Sequence, residues 1–374
     1  MNRRNAAIIA AVLACVVGCI KLDGMFFETV KATSVAEDYH GLPITLAEDP
    51  PEWLADAEVE REIYIETPSG RILDESEKQD ADYLHGAFLH APVQCPAEEC
   101  PLIGTGVTFL YQHGNSGHMF RYWYRAVALW SMGANVFIYT YRGYGLSSGE
   151  ASRENVLQDA AAAMSYVKGR ADVDPDRIIA YGYSMGGIPT SYLLGRSAHK
   201  GAFRAAILES ALDSPDETLN LSTNTDFPEG FFMDAAIFDG PTFIGGAPEL
   251  PILHMHGGDD QRVVMEQAEQ YYNVLRDRPG YTHYLGKTDT SGEAWIREGG
   301  HRNLPVVSFK GEFHIPDYYD ADNNRAHCCI HPIEYTDPAH ADFLQQTGKT
   351  DGETMQADAQ RYHDLVSAWI LSIL

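Results

Sequence analysis

The most constraining feature of this 374-residue sequence is a regular alternation between short apolar runs and longer helical stretches. The short runs predict buried strands, and the longer stretches have the length of helices. Strands that are joined by helices pair in parallel, and a parallel sheet is covered by helices on both faces. The sequence therefore predicts an α/β fold with a mostly parallel sheet. The predicted strands are Val107–Gln112, Ala134–Tyr139, Ile178–Tyr183, Ala205–Glu209, Ile252–His256 and, last, Tyr281–Tyr284. The predicted helices are Tyr122–Met132, Asn155–Lys168, Ile188–Leu194, Glu266–Arg276 and Asp358–Leu374.

Two earlier runs predict an antiparallel hairpin at the edge of this sheet. The run Glu60–Ile65 alternates polar and apolar residues, a turn signal follows it, and His85–Val93 is the expected partner strand. The folded domain is therefore expected to span residues 60–374. Two of its segments are longer than ordinary loops. Residues 210–250 are a candidate for a small lid, and residues 311–355 are an insertion after the last predicted strand.

The first residues have the pattern of an export signal. Residues 1–5 are basic and residues 6–18 are apolar, but this run is shorter than the roughly 20 residues of a membrane-spanning helix. Gly18 before Cys19 resembles a bacterial lipobox, which implies a signal peptide at 1–18 and a lipid on Cys19. The alternatives are an ordinary cleaved signal, a short uncleaved anchor, or a second frame at Cys15.

The residues after Cys19 bear on where such a lipoprotein would reside. Ile20 and Lys21 follow the cysteine, and no aspartate stands there. By resemblance to Gram-negative lipoproteins, this implies the outer membrane, with the protein facing the periplasm or the cell surface. Residues 19–59 are then expected to form a polar, acidic tether before the folded domain.

Export changes how the cysteines are interpreted, because disulfides form in oxidising compartments. Four cysteines would remain besides Cys15 and Cys19, and an even number predicts two disulfides. Cys328 and Cys329 are adjacent, and a bridge between neighbours is strained. We therefore expect each of them to pair with Cys95 or Cys100. The alternative is a local Cys95–Cys100 bridge with two free thiols.

The charge balance restricts the partners. The formal net charge is −26, with 53 acidic residues against 27 lysines and arginines. Such an excess repels nucleic acid and anionic lipid surfaces. It also argues against polyanionic substrates. No nucleic-acid partner is therefore expected.

The strongest local signal for chemistry is the segment Gly182-Tyr183-Ser184-Met185-Gly186, which follows the strand Ile178–Tyr183 and begins a helix. A serine on a tight strand-to-helix turn needs glycines two residues before and after it, because other side chains would collide. The turn exposes the hydroxyl and directs the helix N-terminus at a developing negative charge. Ser184 is therefore the predicted nucleophile.

A serine nucleophile needs a base and an acid, which follow it in the order acid and then histidine. Asp259 and Asp260 both stand after the carboxyl end of the strand Ile252–His256, where sites collect. His301 follows two glycines and is the predicted base. His283 and His314 are weaker candidates, because one lies in a predicted strand and the other in the insertion.

The oxyanion of an acyl intermediate needs two backbone N–H donors. One is expected from Met185, directly after the nucleophile. The other is expected from Asn115, in the loop His113-Gly114-Asn115 after the strand Val107–Gln112. The side chain of His113 is expected to have a structural role.

Taken together, these motifs resemble the α/β-hydrolase superfamily, and most of all its small-lid branch that includes protein depalmitoylases. The resemblance runs from about residue 103 to His301 and includes the segment Tyr141–Ser147. It implies that the acid is Asp260, the fifth residue of the run that begins at His256. Two positions depart from the family pattern: Thr140 replaces an aspartate, and Val264 replaces a proline.

The expected reaction is acyl transfer to water at a carboxylic ester or thioester, with no metal and no organic cofactor. The expected partners are a small-molecule or lipid-like acyl substrate and a membrane reached through the lipid anchor. Oligomeric state is not indicated. The alternatives are a peptidase on the same fold and a surface lipoprotein that binds without catalysis.

Overall fold

The computed structural model describes residues 26–27, 29–32, 58–115, 117–215, 238–257, 263–288, 294–299, 317–320, 325–328 and 352–374. Nine strands in this part of the chain form one sheet. They are β1 (Val59–Glu66), β2 (Tyr83–Leu89), β3 (Thr108–Gln112), β4 (Asn135–Thr140), β5 (Ile178–Tyr183), β6 (Ala205–Glu209), β7 (Ile252–Gly257), β8 (Tyr281–Thr288) and β9 (Ala294–Gly299). Their order in the sheet is β1-β2-β4-β3-β5-β6-β7-β8-β9. The strands β4, β3, β5, β6, β7 and β8 pair in parallel, whereas the pairs at both ends are antiparallel.

Helices cover both faces of this sheet. They are α1 (Trp123–Ser131), α2 (Arg153–Gly169), α3 (Gly187–Gly195), α4 (Gly240–Gly245), α5 (Met265–Leu275) and α6 (Gly352–Ile373). No helix within the described residues has both the length and the apolar composition that crossing a bilayer requires.

The two cores follow from the two-residue period of the strands. In β3, the side chain of Leu110 packs into the core with α2, α3, α4 and α5. Its neighbours Phe109 and Tyr111 pack on the other face, with α1 and α6. The predicted α/β fold with a mostly parallel sheet is confirmed. With β5 leading through a turn into α3, this is the α/β-hydrolase fold that the resemblance implied.

The end of the sheet differs from the prediction. The expectation that the last strand is Tyr281–Tyr284 is wrong, because β8 continues to Thr288 and β9 pairs with it antiparallel. The pattern of β9 is weak, because its six residues include Arg297 and Glu298. An edge strand has a neighbour on one side only, and charged residues are common there. Residues that lie at a sheet edge therefore escape a prediction based on apolar runs.

Part of the segment expected as a tether packs on the domain. We call residues 26–27 and 29–32 the N-terminal strap. Lys31 forms an isolated parallel bridge with Gly145, and Phe26 and Phe27 are 3% and 9% exposed. These two apolar side chains gain free energy by leaving water, so the chain is held to the domain well before β1.

The disulfide differs from the favoured pairing of Cys95 and Cys100 with Cys328 and Cys329. The structure joins Cys95 to Cys100, with a Cα–Cα distance of 5.9 Å, within the range that a disulfide spans. The cause is a local turn, in which the backbone N–H groups of Glu99 and Cys100 both donate to Pro96 O. Because both sulfurs are used in this bond, neither can bind a distant cysteine. Cys328 ends a strand, and Cys329 lies outside the described residues.

The insertion expected at residues 311–355 contains a second sheet. Strands β10 (Asp317–Asp320) and β11 (Arg325–Cys328) pair antiparallel, separately from the main sheet. The helix α6 begins at Gly352, earlier than the predicted Asp358. The insertion therefore ends directly in the closing helix.

Candidate active site

Ser184 lies on a strained turn at the carboxyl end of β5. Its φ is 53°, in the left-handed region that few residues other than glycine adopt. One 3-10 turn over Ser184–Gly186 then leads into α3. Backbone strain of this kind is retained where the surrounding structure enforces it, and it concentrates at functional sites. The serine is 8% exposed, so only a small part of it is accessible to solvent.

The two flanking glycines permit this turn, as the sequence predicts. A Cβ atom on Gly182 would lie 2.5 Å from Gly186 O. A Cβ atom on Gly186 would lie 2.1 Å from Gln112 O, at the end of β3. Real Cβ atoms do not approach oxygen this closely, so any larger residue would displace the turn. The second contact also means that Gly186 lets the nucleophile turn approach the loop after β3.

The loop His113-Gly114-Asn115 lies directly against Ser184. A Cβ atom on Gly114 would be 3.3 Å from Ser184 Cβ and 2.8 Å from the Tyr122 hydroxyl oxygen. The structure therefore brings together Ser184, Met185 and the loop that carries Asn115. Met185 is fully buried beneath the turn.

His113 is buried in this loop and stacks on Tyr122, with ring centroids 5.2 Å apart. Its Nδ1 lies 2.7 Å from Gly114 O, so this nitrogen carries the proton that it donates to the carbonyl. Burial lowers the pKa of His113 to about 3. A histidine that stays neutral in this way supports the loop and does not exchange protons with substrate near pH 7.

The side chain of Asn115 is held from two sides. Its Nδ2 donates to Phe26 O of the N-terminal strap at 2.6 Å, and its Oδ1 accepts from the Tyr144 hydroxyl at 2.6 Å. Sequence reasoning missed Phe26 and Tyr144 as residues of this site. No signal in one sequence relates position 26 to position 115, because the contact depends on how the chain folds back.

The chain after β6 also contacts the nucleophile turn. Leu212 N donates to Ser184 O at 2.9 Å, and Ser210, two residues earlier, has a φ of 43°. Ser210 N donates in turn to Met255 O of β7. The carboxyl ends of β5, β6 and β7 are thereby linked to one another through main-chain hydrogen bonds.

The predicted acid, Asp260, and its alternative Asp259 lie outside the described residues. Both flanks of that segment are described. β7 ends at Gly257, and His256 Nε2 lies 2.7 Å from Val263 O. The chain thus leaves the sheet at the carboxyl end of β7, two strands from β5, and returns to the same end at Val263.

The predicted base, His301, and its weaker alternative His314 also lie outside the described residues. The described segment that precedes His301 ends at Gly299 in β9, two residues before the histidine. Gly299 pairs with His283 of β8, and three strands separate β9 from β5. His283 itself is buried and stacked on Tyr281, with ring centroids 5.2 Å apart, which places it in the core.

Thr140 stands where the resembled family has an aspartate, and its structural role is now visible. Its hydroxyl accepts from Met119 N at 3.1 Å, and its carbonyl accepts from the Ser147 hydroxyl at 2.6 Å. A threonine oxygen therefore serves as an acceptor at this position. A charged pair lies close to Thr140 in the sequence, because Arg142 Nε donates to the buried carboxylate of Asp159 at 2.6 Å.

One cluster of described residues has donor atoms of the kind that bind metals. Glu60, His90 and Asp172 each offer a ligand atom, and these atoms lie within 4.8 Å of one another. Arg170 Nη2 already contacts both carboxylates, at 2.5 Å to Glu60 and 2.6 Å to Asp172. The cluster is an ion-pair network around an arginine, and it is distant in the fold from the carboxyl end of β5.

Comparison with known proteins gives a family match over the part of the chain that contains Ser184. Residues 107–225 match the Hydrolase_4 family model, described as serine aminopeptidase, S33. The uncharacterized protein YfhR of Escherichia coli strain K12 is 29% identical over 215 residues, which are 58% of this chain and 72% of that protein. The α/β-hydrolase domain-containing protein WAV2 of Arabidopsis thaliana is 31% identical over 139 residues, 37% of this chain and 42% of that protein.

Among solved structures, the Pyrococcus furiosus esterase Pf2001 superimposes with a TM-score of 0.47 and 16% identity, covering 69% of this chain and 88% of that one. The fold assignment made above comes from the sheet order and from the turn between β5 and α3. Together with the match of residues 107–225 to a hydrolase family, these features support the conclusion that this chain is a hydrolase with the α/β-hydrolase fold.

Proposed function

We propose that the protein is a serine hydrolase that cleaves carboxylic esters or thioesters, in the manner of the small-lid, depalmitoylase-like branch. His301 accepts the Ser184 proton as the oxygen attacks the acyl carbon, and Asp260 stabilises the resulting imidazolium. The N–H groups of Met185 and Asn115 stabilise the oxyanion. The leaving group takes the proton from His301. Water then attacks the acyl-enzyme and gives its proton to His301, which returns it to Ser184 as the acid is released.

The observation that carries this proposal is the contact between the strained nucleophile turn and the loop after β3. Ser184 has a φ of 53°, and a Cβ atom placed on Gly114 would lie only 3.3 Å from Ser184 Cβ. A nucleophile and an oxyanion donor need to lie on adjacent backbones, because both contact the same carbonyl group. A purely structural turn gains nothing from the strain.

The first test compares two buried serines. Ser184→Ala should abolish hydrolysis of p-nitrophenyl acetate and labelling by a fluorophosphonate probe, since the nucleophile carries the reaction. Ser197→Ala removes a hydroxyl that donates to Leu193 O in α3 and accepts from His199 N, away from the turn, and it should leave both measurements at the wild-type level. Turnover or labelling that persists in Ser184→Ala would contradict the proposal. A wild-type protein that folds but is never labelled would select the non-catalytic lipoprotein.

The second test addresses the acid and the base with matched pairs. His301→Ala and Asp260→Asn should each lower kcat by about 10³-fold or more, in line with other catalytic triads. His314→Ala and Asp259→Asn should stay within about twofold of wild type, because neither residue has a role in the proposed mechanism. If the loss follows His314 or Asp259 instead, the assignment of that residue is wrong and the nucleophile assignment stands.

A peptidase on the same fold is the second candidate, because the matching family model is described as a serine aminopeptidase. Hydrolysis of aminoacyl arylamides without hydrolysis of acyl esters would select it. A chain-length series of acyl esters and the corresponding thioesters would then distinguish small esters from lipid-like substrates and from palmitoyl thioesters.

We also propose that the protein is an outer membrane lipoprotein acylated at Cys19, with residues 1–18 removed. Phe26 of the strap stands seven positions after Cys19, and seven residue steps span at most about 25 Å. An acylated Cys19 would therefore keep the active site close to the bilayer, which suits a lipid-like acyl substrate. Mass spectrometry of the mature N-terminus tests this proposal, and a free residue other than Cys19 would refute it.

A further inference from the structure

The N-terminal strap lies over the loop that follows β4. Gly145 N donates to Val30 O at 2.6 Å, and Ala32 N donates to Gly145 O at 3.1 Å. Lys31 Nζ also donates to Ser147 O at 2.9 Å. Main-chain hydrogen bonds in both directions define where the strap lies, so its position does not depend on side-chain packing alone.

An aromatic cluster holds the start of the strap. Phe26, Phe27 and Phe238 contact one another edge to face, with ring centroids 5.0, 6.2 and 6.1 Å apart. Phe238 is fully buried and stands just before α4. Edge-to-face aromatic contacts add directional preference to hydrophobic burial. The strap is thereby attached at one end to the segment before α4 and at the other to the loop after β4.

The strap reaches the active site through one side chain. The carboxamide of Asn115 donates to Phe26 O and accepts from the Tyr144 hydroxyl, both at 2.6 Å. Tyr144 belongs to the same loop that pairs with the strap. Since both ends of the carboxamide are bound, the side chain has one orientation, and it holds the backbone directly after Gly114.

That backbone lies against the nucleophile, and its placement matters for the rate. An oxyanion donor acts only when its hydrogen lies at hydrogen-bonding distance from the developing charge. A displacement of about 1 Å at a reacting centre can cost about a hundredfold in rate. We propose that the N-terminal strap is a positioning element of the active site, which fixes Asn115 through Phe26 O and so sets the rate of acylation of Ser184. This inference rests on the proposed function.

The experiment uses the full chain and three variants, each of which removes a different contact that holds the Asn115 side chain. Asn115→Ala removes the carboxamide, Tyr144→Phe removes one hydrogen bond, and Phe26→Ala removes the aromatic anchor of the strap. Each should lower kcat for p-nitrophenyl acetate, and the rate of fluorophosphonate labelling, by about tenfold or more. KM should stay within about twofold, because the loss is confined to the transition state.

Matched controls separate positioning from general stability. Tyr166→Phe removes a tyrosine hydroxyl that bonds Arg170, and Phe203→Ala removes a buried phenyl group of the same core. Both lower the melting temperature and should leave kcat within about twofold of wild type. Phe26→Leu retains an apolar anchor and the backbone acceptor, so it should restore most of the activity that Phe26→Ala loses. Asn115→Ala combined with Tyr144→Phe should be no slower than Asn115→Ala, since both act through one carboxamide.

The outcomes distinguish this inference from the proposed function. If wild type is active and Ser184→Ala is inactive, then wild-type kcat in folded Tyr144→Phe and Phe26→Ala overturns the positioning role alone. Equal losses of kcat in Phe26→Ala and Phe203→Ala also overturn it, because stability would then explain the effect. If wild type shows neither turnover nor labelling, both proposals fail.

Discussion

The nucleophile turn (residues 182–186) and the oxyanion loop (residues 113–115), named for their proposed roles, are adjacent, but they are built in different ways. The turn is built locally, from a strand, a strained serine and two glycines within five residues of one another. The loop depends on partners from distant parts of the sequence, because Phe26 and Tyr144 hold Asn115. We therefore expect substitutions within the turn itself to disrupt it. The loop can also be displaced by substitutions at residues that are distant in the sequence. This difference predicts where substitutions act and how strongly.

The largest effect is expected where the two regions touch. Gly186→Ala places a Cβ atom 2.1 Å from Gln112 O, so the turn and the end of β3 must separate. We expect a loss of more than about 4 kcal/mol in the free energy of unfolding and no fluorophosphonate labelling. Gly169→Ala is the control, because a Cβ atom there meets nothing within 4 Å. Normal labelling in Gly186→Ala would show that the turn is less constrained than its contacts indicate.

The next effect concerns the ion pair beneath the loop after β4, which bears Tyr144. Arg142→Leu leaves the carboxylate of Asp159 buried without its guanidinium, which donates from Nε at 2.6 Å. Removing one partner of a buried pair costs about 3–5 kcal/mol, and urea unfolding measures it. Arg71→Leu breaks exposed pairs with Glu66 and Glu77 and should leave the free energy of unfolding nearly unchanged, because water screens exposed ion pairs. Similar losses in both variants would contradict the role given to burial.

Acid should weaken the fold through two buried histidines, His113 in the loop after β3 and His85 in β2. Burial lowers the pKa of His113 to about 3 and of His85 to about 4. The unfolded chain therefore takes up protons first, so stability is complete above about pH 6.5 and is lost as the pH falls toward these values. At pH 5 each histidine costs about 2 kcal/mol.

The buried carboxyl of Asp159 acts in the opposite direction. Burial raises its pKa to about 6, so the folded state binds its proton first and gains about 1.4 kcal/mol at pH 5. These three groups together predict a loss of about 2–3 kcal/mol between pH 8 and pH 5, measured by urea unfolding at each pH. His254, whose pKa burial lowers well below its usual value, adds to this loss. A free energy of unfolding that is constant over this range would contradict the buried, neutral state of the two histidines.

The smallest effect on activity is expected at the disulfide, which lies outside both regions. Cys95→Ala opens a loop with a sequence separation of 5, which costs about 2 kcal/mol of stability on the loop-entropy model. Its kcat should match that of wild type. Cys328→Ala should change neither quantity. An equal loss of stability in Cys328→Ala would favour the pairing with the C-terminal cysteines.

How well a feature could be predicted from the sequence depends on how far apart in the sequence its interacting residues lie. The central strands were predictable because β3, β5 and β6 are mostly apolar and are buried at every position. β9 was not, because an edge strand with Arg297 and Glu298 lacks that pattern. The pairing of Cys95 with Cys100 was an open alternative, because adjacent cysteines at 328 and 329 allow several connectivities.

Sequence by itself determined the parallel sheet, the nucleophile turn at Ser184 and the loop expected to face it. Each of these depends on short-range sterics or on the spacing of apolar residues, and both can be read from residues that are close together in the sequence. Only the tertiary structure decided that a segment near the N-terminus packs beside the nucleophile and binds Asn115 through Phe26 O. That contact joins positions 89 residues apart, and it forms through a backbone carbonyl that every residue type carries. The residue types at positions 26 and 115 therefore could not predict this contact.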